Sequence, residues 1–94
     1  MDTRYLNRSL RLGTTWITPG AQEVLDSLDV IEALRRHASG DWGHCCLADA
    51  QANDAALEEG FRVMSVYQDR HQTTFWIITE GDRTATTVLL PEEY

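Results

Sequence analysis

From Phe61 to the C-terminus, the apolar residues of this 94-residue chain stop recurring at helical spacing and begin to alternate. That change of period restricts the fold more than anything upstream of it. Phe61, Val63, Ser65 and Tyr67 fall on one side of an extended segment, and Arg62, Met64, Val66 and Gln68 on the other. A turn at residues 69–72 leads into a second strand, 75–79, and the turn Glu80-Gly81-Asp82-Arg83 into a third, 84–90, which Pro91 stops. β-Branched and aromatic residues bounded by Gly, Asp and Pro predict strands, and three strands joined by short turns predict an antiparallel meander.

Upstream the spacing is helical. Thr18-Pro19 opens a first helix, with a capping hydroxyl and a proline where the missing N–H costs nothing, and Ala21, Val24, Leu25 and Leu28 form its apolar face. After a break at 26–29, Asp29 and Glu32 have capping-box spacing for a second helix. Ile31, Leu34 and Ala38 continue the stripe there, Arg35, Arg36 and His37 suit the negative end of the dipole, and Ser39-Gly40 caps it. A tight turn at 40–43 precedes a third helix, 46–59, with Leu47, Ala50 and Leu57 inward and Gly60 at its end. Residues 9–18 predict a short strand bent at Gly13, and residues 1–8 a flexible lead-in. The order β-α-α-α-β-β-β predicts a single α+β domain over residues 9–94: an antiparallel three- to four-stranded sheet with two to three short helices on one face. Trp16 and Trp76, in strands, are expected in the core, and Trp42, in a turn, at the surface.

Fifteen carboxylates stand against eight arginines and no lysine, a net charge of −7. This argues against direct contact with a nucleic-acid backbone and suits an acidic surface that meets a basic protein surface. Arg4, Arg8 and Arg11 alone make the N-terminus locally basic. No apolar run approaches the ~18 residues of a membrane span, and no signal-peptide pattern opens the chain, so a cytoplasmic protein with no membrane partner is expected. Cys45 and Cys46 are adjacent, which disfavours a bridge and predicts reduced thiols.

His44-Cys45-Cys46, with Asp41 and Asp49 near, contains metal-ligand types without the CxxC or HxxxH spacing that lets them converge, so neither metal nor cofactor is expected. A cysteine nucleophile with His37, His44 or His71 as base is the enzymatic alternative. No GxSxG, Walker or dinucleotide glycine motif supports it, and no catalytic residue is assigned. Arg83 is expected to pair with Asp41 or Glu80 and hold its turn. The candidate partner site consists of the carboxylates on outer helix faces, Asp26, Asp29, Glu32, Asp49, Asp54, Glu58 and Glu59, together with Asp41 and Trp42 at the turn.

The strings ITPGAQEVL (17–25), RHASGDWGHC (36–45) and FWIITEGDRTATTVLLPEEY (75–94), with Asn53, Ala56-Leu57, Gly60, Ser65 and Tyr67 between them, carry a resemblance. The chain resembles a group of small proteins carried on plasmids, integrative elements and prophages of bacteria, over nearly its whole length after residue 8. It departs from them at His44, where the group commonly has an acidic residue. Members are mostly described without an activity, so the resemblance implies a mobile-element setting and no reaction. With the acidic balance, the expectation is a non-enzymatic protein that binds and inhibits a host defence complex, of anti-CRISPR or anti-restriction type. Its acidic surface would block a basic nucleic-acid site, with the protein a monomer or homodimer in the bacterial cytoplasm. The alternatives are a small enzyme or toxin–antitoxin component using Cys, His and Asp of residues 41–46, and a homodimeric accessory protein using an exposed sheet edge.

Overall fold

The computed structural model describes residues 9–94, so the expected lead-in at 1–8 lies outside the described residues. Gly13, at φ +64°, bends the chain into strand β1 (Thr14–Ile17); a Cβ there would meet the Thr84 carbonyl oxygen at 2.3 Å. Helix α1 (Pro19–Val24) starts as predicted, with the Thr18 hydroxyl accepting from the Ala21 N–H. Helix α2 (Ser27–Ala38) is capped by Asp26, whose carboxylate accepts the Asp29 N–H at 3.1 Å. The cap is therefore three residues earlier than the Asp29–Glu32 spacing predicts.

That restart rephases the helix. Val30, Ala33 and His37 turn inward, while Leu28 and Ile31 are 66% and 63% exposed, against the stripe read from sequence. Val24 is also outside, whereas Ala21 and Leu25 are buried as expected. Helix α3 (Leu47–Glu59) ends on Gly60 in the left-handed region, φ +79°, as predicted. It buries Asn53 and Ala56 but leaves Leu47 outside.

Strands β2 (Val63–Gln68), β3 (Thr74–Thr79) and β4 (Ala85–Leu89) form the predicted meander, followed by a 3₁₀ turn at Pro91–Glu93. The sheet order is β1-β4-β3-β2. Both meander pairs are antiparallel, but β1 runs parallel to β4, so the sheet is mixed rather than wholly antiparallel. A parallel neighbour requires a long crossover, and the three helices supply it.

The helices cover one face. Ala21, Leu25, Val30 and Ala33 pack on Tyr67, Phe75, Ile77, Val88 and Leu90, and beside them Leu10, Trp42, Ala56 and Val63 form a second cluster. Burying two such clusters supplies the main driving force for closing the layers. The tryptophans reverse their expected places: Trp42 is 5% exposed and edge-on to His37, while Trp16 is 59% exposed on the edge strand. Trp76 is half-buried, with Tyr94 folded edge-on against it at 5.6 Å between centroids.

The β2 edge is sealed by polar groups from two neighbouring segments. Asn53 brackets Met64, its amide donating to the Met64 carbonyl at 2.7 Å and its oxygen accepting the Met64 N–H at 3.1 Å. Next along the strand, the Val66 N–H donates to the Trp42 carbonyl and the His44 N–H to the Val66 carbonyl. Gly43 passes so close, at φ +71°, that a Cβ would meet the Val66 carbonyl oxygen at 2.1 Å. Replacing Asn53→Ala strands the Met64 N–H and leaves the Met64 carbonyl with only the weak Cys45 thiol donor, and should lower the unfolding free energy by about 1–3 kcal/mol in urea denaturation.

Candidate partner-binding surface

His37 is fully buried beneath the helical layer. Its Nδ1 lies 2.5 Å from Ser65 Oγ and its Nε2 2.8 Å from Thr79 Oγ1. Thr79 Oγ1 in turn lies 2.7 Å from Thr86 Oγ1, and Thr86 donates to the Leu12 carbonyl at 2.7 Å. A carbonyl only accepts, so every proton in the row is directed from that end. Thr86 accepts from Thr79, Thr79 accepts from His37 Nε2–H, and Nδ1 is left to accept from Ser65. The ring is thereby assigned as the neutral Nε2–H tautomer. Burial, followed by the charge of Arg83, lowers its pKa to about 4.

Both ring nitrogens being occupied removes His37 as a catalytic base. Cys45 donates its thiol to the Met64 carbonyl at 3.4 Å, and burial raises its pKa, the opposite of what a nucleophilic thiolate needs. Cys46 is exposed at the N-cap of α3 and makes no side-chain cap bond. Among the described residues, no three His, Cys, Asp or Glu side chains are grouped to hold a metal ion. A depression of about 170 Å³ lined by Asp29, Glu32, Ala33, Arg36, Tyr67 and Gln68 falls below the volume usual for small-molecule sites. Among the described residues no helix is long and apolar enough to cross a membrane.

The Asp41–Trp42 turn is locked in place. Arg36 forks onto the Asp41 carboxylate at 2.7 and 3.2 Å and holds its pKa below the usual carboxylate range, while Tyr67 donates its hydroxyl to the Asp41 carbonyl at 2.5 Å. Trp42 is buried under α3, and its indole donates to the Asp54 carboxylate of that helix at 2.8 Å. Trp42 is therefore a packing residue, which corrects its expected role as an exposed anchor. Arg83 also departs from expectation: it pairs with neither Asp41 nor the Glu80 carboxylate, but donates to the carbonyls of Ala56, Glu80 and Phe61. The Glu80 carboxylate is taken by Arg62, whose guanidinium also donates to the Tyr94 hydroxyl.

The predicted acidic residues divide into two groups. On α2, Asp26 and Asp29 both face Arg70, at 3.3 and 3.0 Å, and Glu32 pairs with Arg35. Arg70 comes from the β2–β3 turn, where Asp69 accepts the amides of Asp26, His71 and Thr73. Asp26 and Asp29 thus join helix to turn, while Glu32 pairs along its own helix. Arg70 was not singled out from sequence; its place beside Asp69 in that turn was the available signal.

Helix α3 is different. It carries Asp49, Asp54, Glu58 and Glu59 and no basic residue. All four are exposed, and the side chains of Asp49, Glu58 and Glu59 have no ion-pair partner among the described residues. Ala48, Ala52 and Ala55 lie between them on the outer surface, so the carboxylates rim a smooth, low-relief strip. Compared with known proteins, the chain matches no family model, no curated protein and no solved structure.

The His37 row makes stability depend on pH. The unfolded imidazole binds its proton near pH 6.5 and the folded one near pH 4, so between these values the unfolded state holds more protons. Stability therefore rises with pH across that window, and acidification from about 6.5 towards about 4 should remove up to about 3 kcal/mol, read by urea denaturation. His37→Gln, which donates and accepts without titrating there, should flatten that slope.

Proposed function

We propose that this is a non-enzymatic mobile-element protein that binds and inhibits a bacterial host defence complex, of anti-CRISPR or anti-restriction type. The outer face of α3 would lie over a basic nucleic-acid site on the target and exclude the nucleic acid by charge and bulk. The observation that carries this reading is the placement of charge on α3. Glu58 and Glu59 occupy the last turn, where the helix dipole disfavours negative charge, and that turn has no basic residue. A local cost of this kind is expected where a residue serves something other than folding. The tied-down carboxylates of α2 move the proposed site to α3, and the raised Cys45 pKa weakens the enzymatic alternative.

The same placement makes the test clean. Glu58→Lys with Glu59→Lys reverses the acidic face and also suits the dipole, so melting temperature should rise by roughly 2–6 °C. Phage plating on hosts carrying a panel of CRISPR and restriction systems should find one that the wild-type chain disarms. Protection there should fall by at least about tenfold for the double variant, and binding to the purified complex should weaken with added salt. Protection that survives the reversal, or that disappears instead on Cys45→Ala, removes the mimicry reading.

A further inference from the structure

The two edges of the sheet are treated in opposite ways. Every outward backbone group of Met64 and Val66 on the β2 edge is engaged, by Asn53 and by residues 42–44. At β1, the N–H groups of Thr14 and Thr18 donate to the carbonyls of Thr84 and Val88. In a parallel ladder alternate residues serve the same neighbour, so the N–H and C=O groups of Thr15 and Ile17 point away from the sheet. All four residues of β1 are exposed, and the strand has none of the lysine, proline or bulge by which proteins blunt an edge.

Charge indicates what can cover this edge. Residues 12–22 are the longest stretch of the chain without Asp, Glu or Arg, in a protein of net charge −7. A second, equally acidic copy is repelled by most of the surface and meets no charge on this stretch. The edge is also self-complementary. Antiparallel pairing centred on Trp16 sets Thr15 opposite the partner's Ile17 and Ile17 opposite the partner's Thr15, each pair exchanging two backbone hydrogen bonds. Trp16 then faces the partner's Trp16 on the two-fold axis, as the closely spaced pair without hydrogen bonds, where the exposed indoles cover each other.

We propose that β1 pairs with β1 of a second copy in this register, joining two four-stranded sheets into one continuous sheet across a two-fold axis. The reading is independent of the role given to α3. Sedimentation velocity on the full chain from about 1 to 300 µM should show a monomer–dimer equilibrium with a roughly micromolar constant, as befits a small interface. Thr15→Pro removes an outward N–H that β4 does not use, at an edge position where proline is tolerated, and Trp16→Lys places like charges on the axis. Each should give monomer at all concentrations with an unchanged far-UV spectrum. In a chain carrying Cys45→Ser and Cys46→Ser, Trp16→Cys should form a covalent dimer on mild oxidation, since Cβ atoms in such a pair stand close to disulfide range. A wild-type chain that stays monomeric throughout overturns the proposal. So does a dimer that survives both edge variants, or a Trp16→Cys chain that does not cross-link.

Discussion

Five segments meet on the hydrogen-bonded row Ser65, His37, Thr79, Thr86 and Leu12, and the arrangement of the molecule depends on it. Strands β2, β3 and β4, helix α2 and the N-terminal segment each contribute one member. Because the row runs one way and ends on a carbonyl, removing any member leaves a buried neighbour unpaired, at about 1–3 kcal/mol each. Among the described residues no buried side-chain nitrogen or oxygen lacks a partner. A fully satisfied polar row among apolar clusters specifies one packing where a purely apolar interface would admit several. It also sets the position of Trp42, whose ring lies edge-on to His37. With Trp42 drawn inward, residues 42–44 are laid along β2 and close that edge.

The same economy governs charge. Arg70 and Arg35 neutralise α2, Arg36 neutralises Asp41 and Arg62 neutralises Glu80, so four of the eight arginines are spent on the molecule's own carboxylates. Excess negative charge then gathers on α3, whose thirteen residues include four of the fifteen carboxylates and no cation. Arg83 supports that helix without neutralising it, since its guanidinium reaches the Ala56 carbonyl rather than the glutamates. A helix held through its carbonyls and left acidic on its outer face keeps its field directed at solvent.

Much of the fold was legible because it is local. Period-two alternation marked β2, β3 and β4, Gly60 marked the end of α3, and Thr18-Pro19 marked the start of α1. The parallel pairing of β1 was not legible, because nothing in a four-residue strand specifies a neighbour that lies some seventy residues away. Leu28 was misread because it extends the face of Ala21, Val24 and Leu25, and Ile31 because the second helix was begun at Asp29, whereas Asp26 caps it and sets its phase. The tryptophans were misassigned for a related reason. A strand residue is buried only if its face is covered, and a turn residue is exposed only if no helix packs over it. For the candidate surface, sequence located the carboxylates but not their counter-ions, which arrive from distant turns.

Edge and acidic helix lie at opposite ends of the sheet, and this separation constrains how they could work together. Helix α3 packs beside β2, while β1 forms the other margin. Pairing through β1 would therefore bury nothing of α3 and would place the two acidic helices at the far ends of one continuous sheet. At about 4.8 Å between neighbouring strands, the two outermost strands of such a sheet stand roughly 34 Å apart. Two acidic faces held that far apart by a rigid sheet cannot share one narrow basic channel. On the proposed reading they would engage two copies of a target, or two separated sites on one assembly, and only the second geometry would convert dimerisation into a gain in apparent affinity. The roles proposed for the uncharged edge and the charged helix thus rest on separate parts of the sheet.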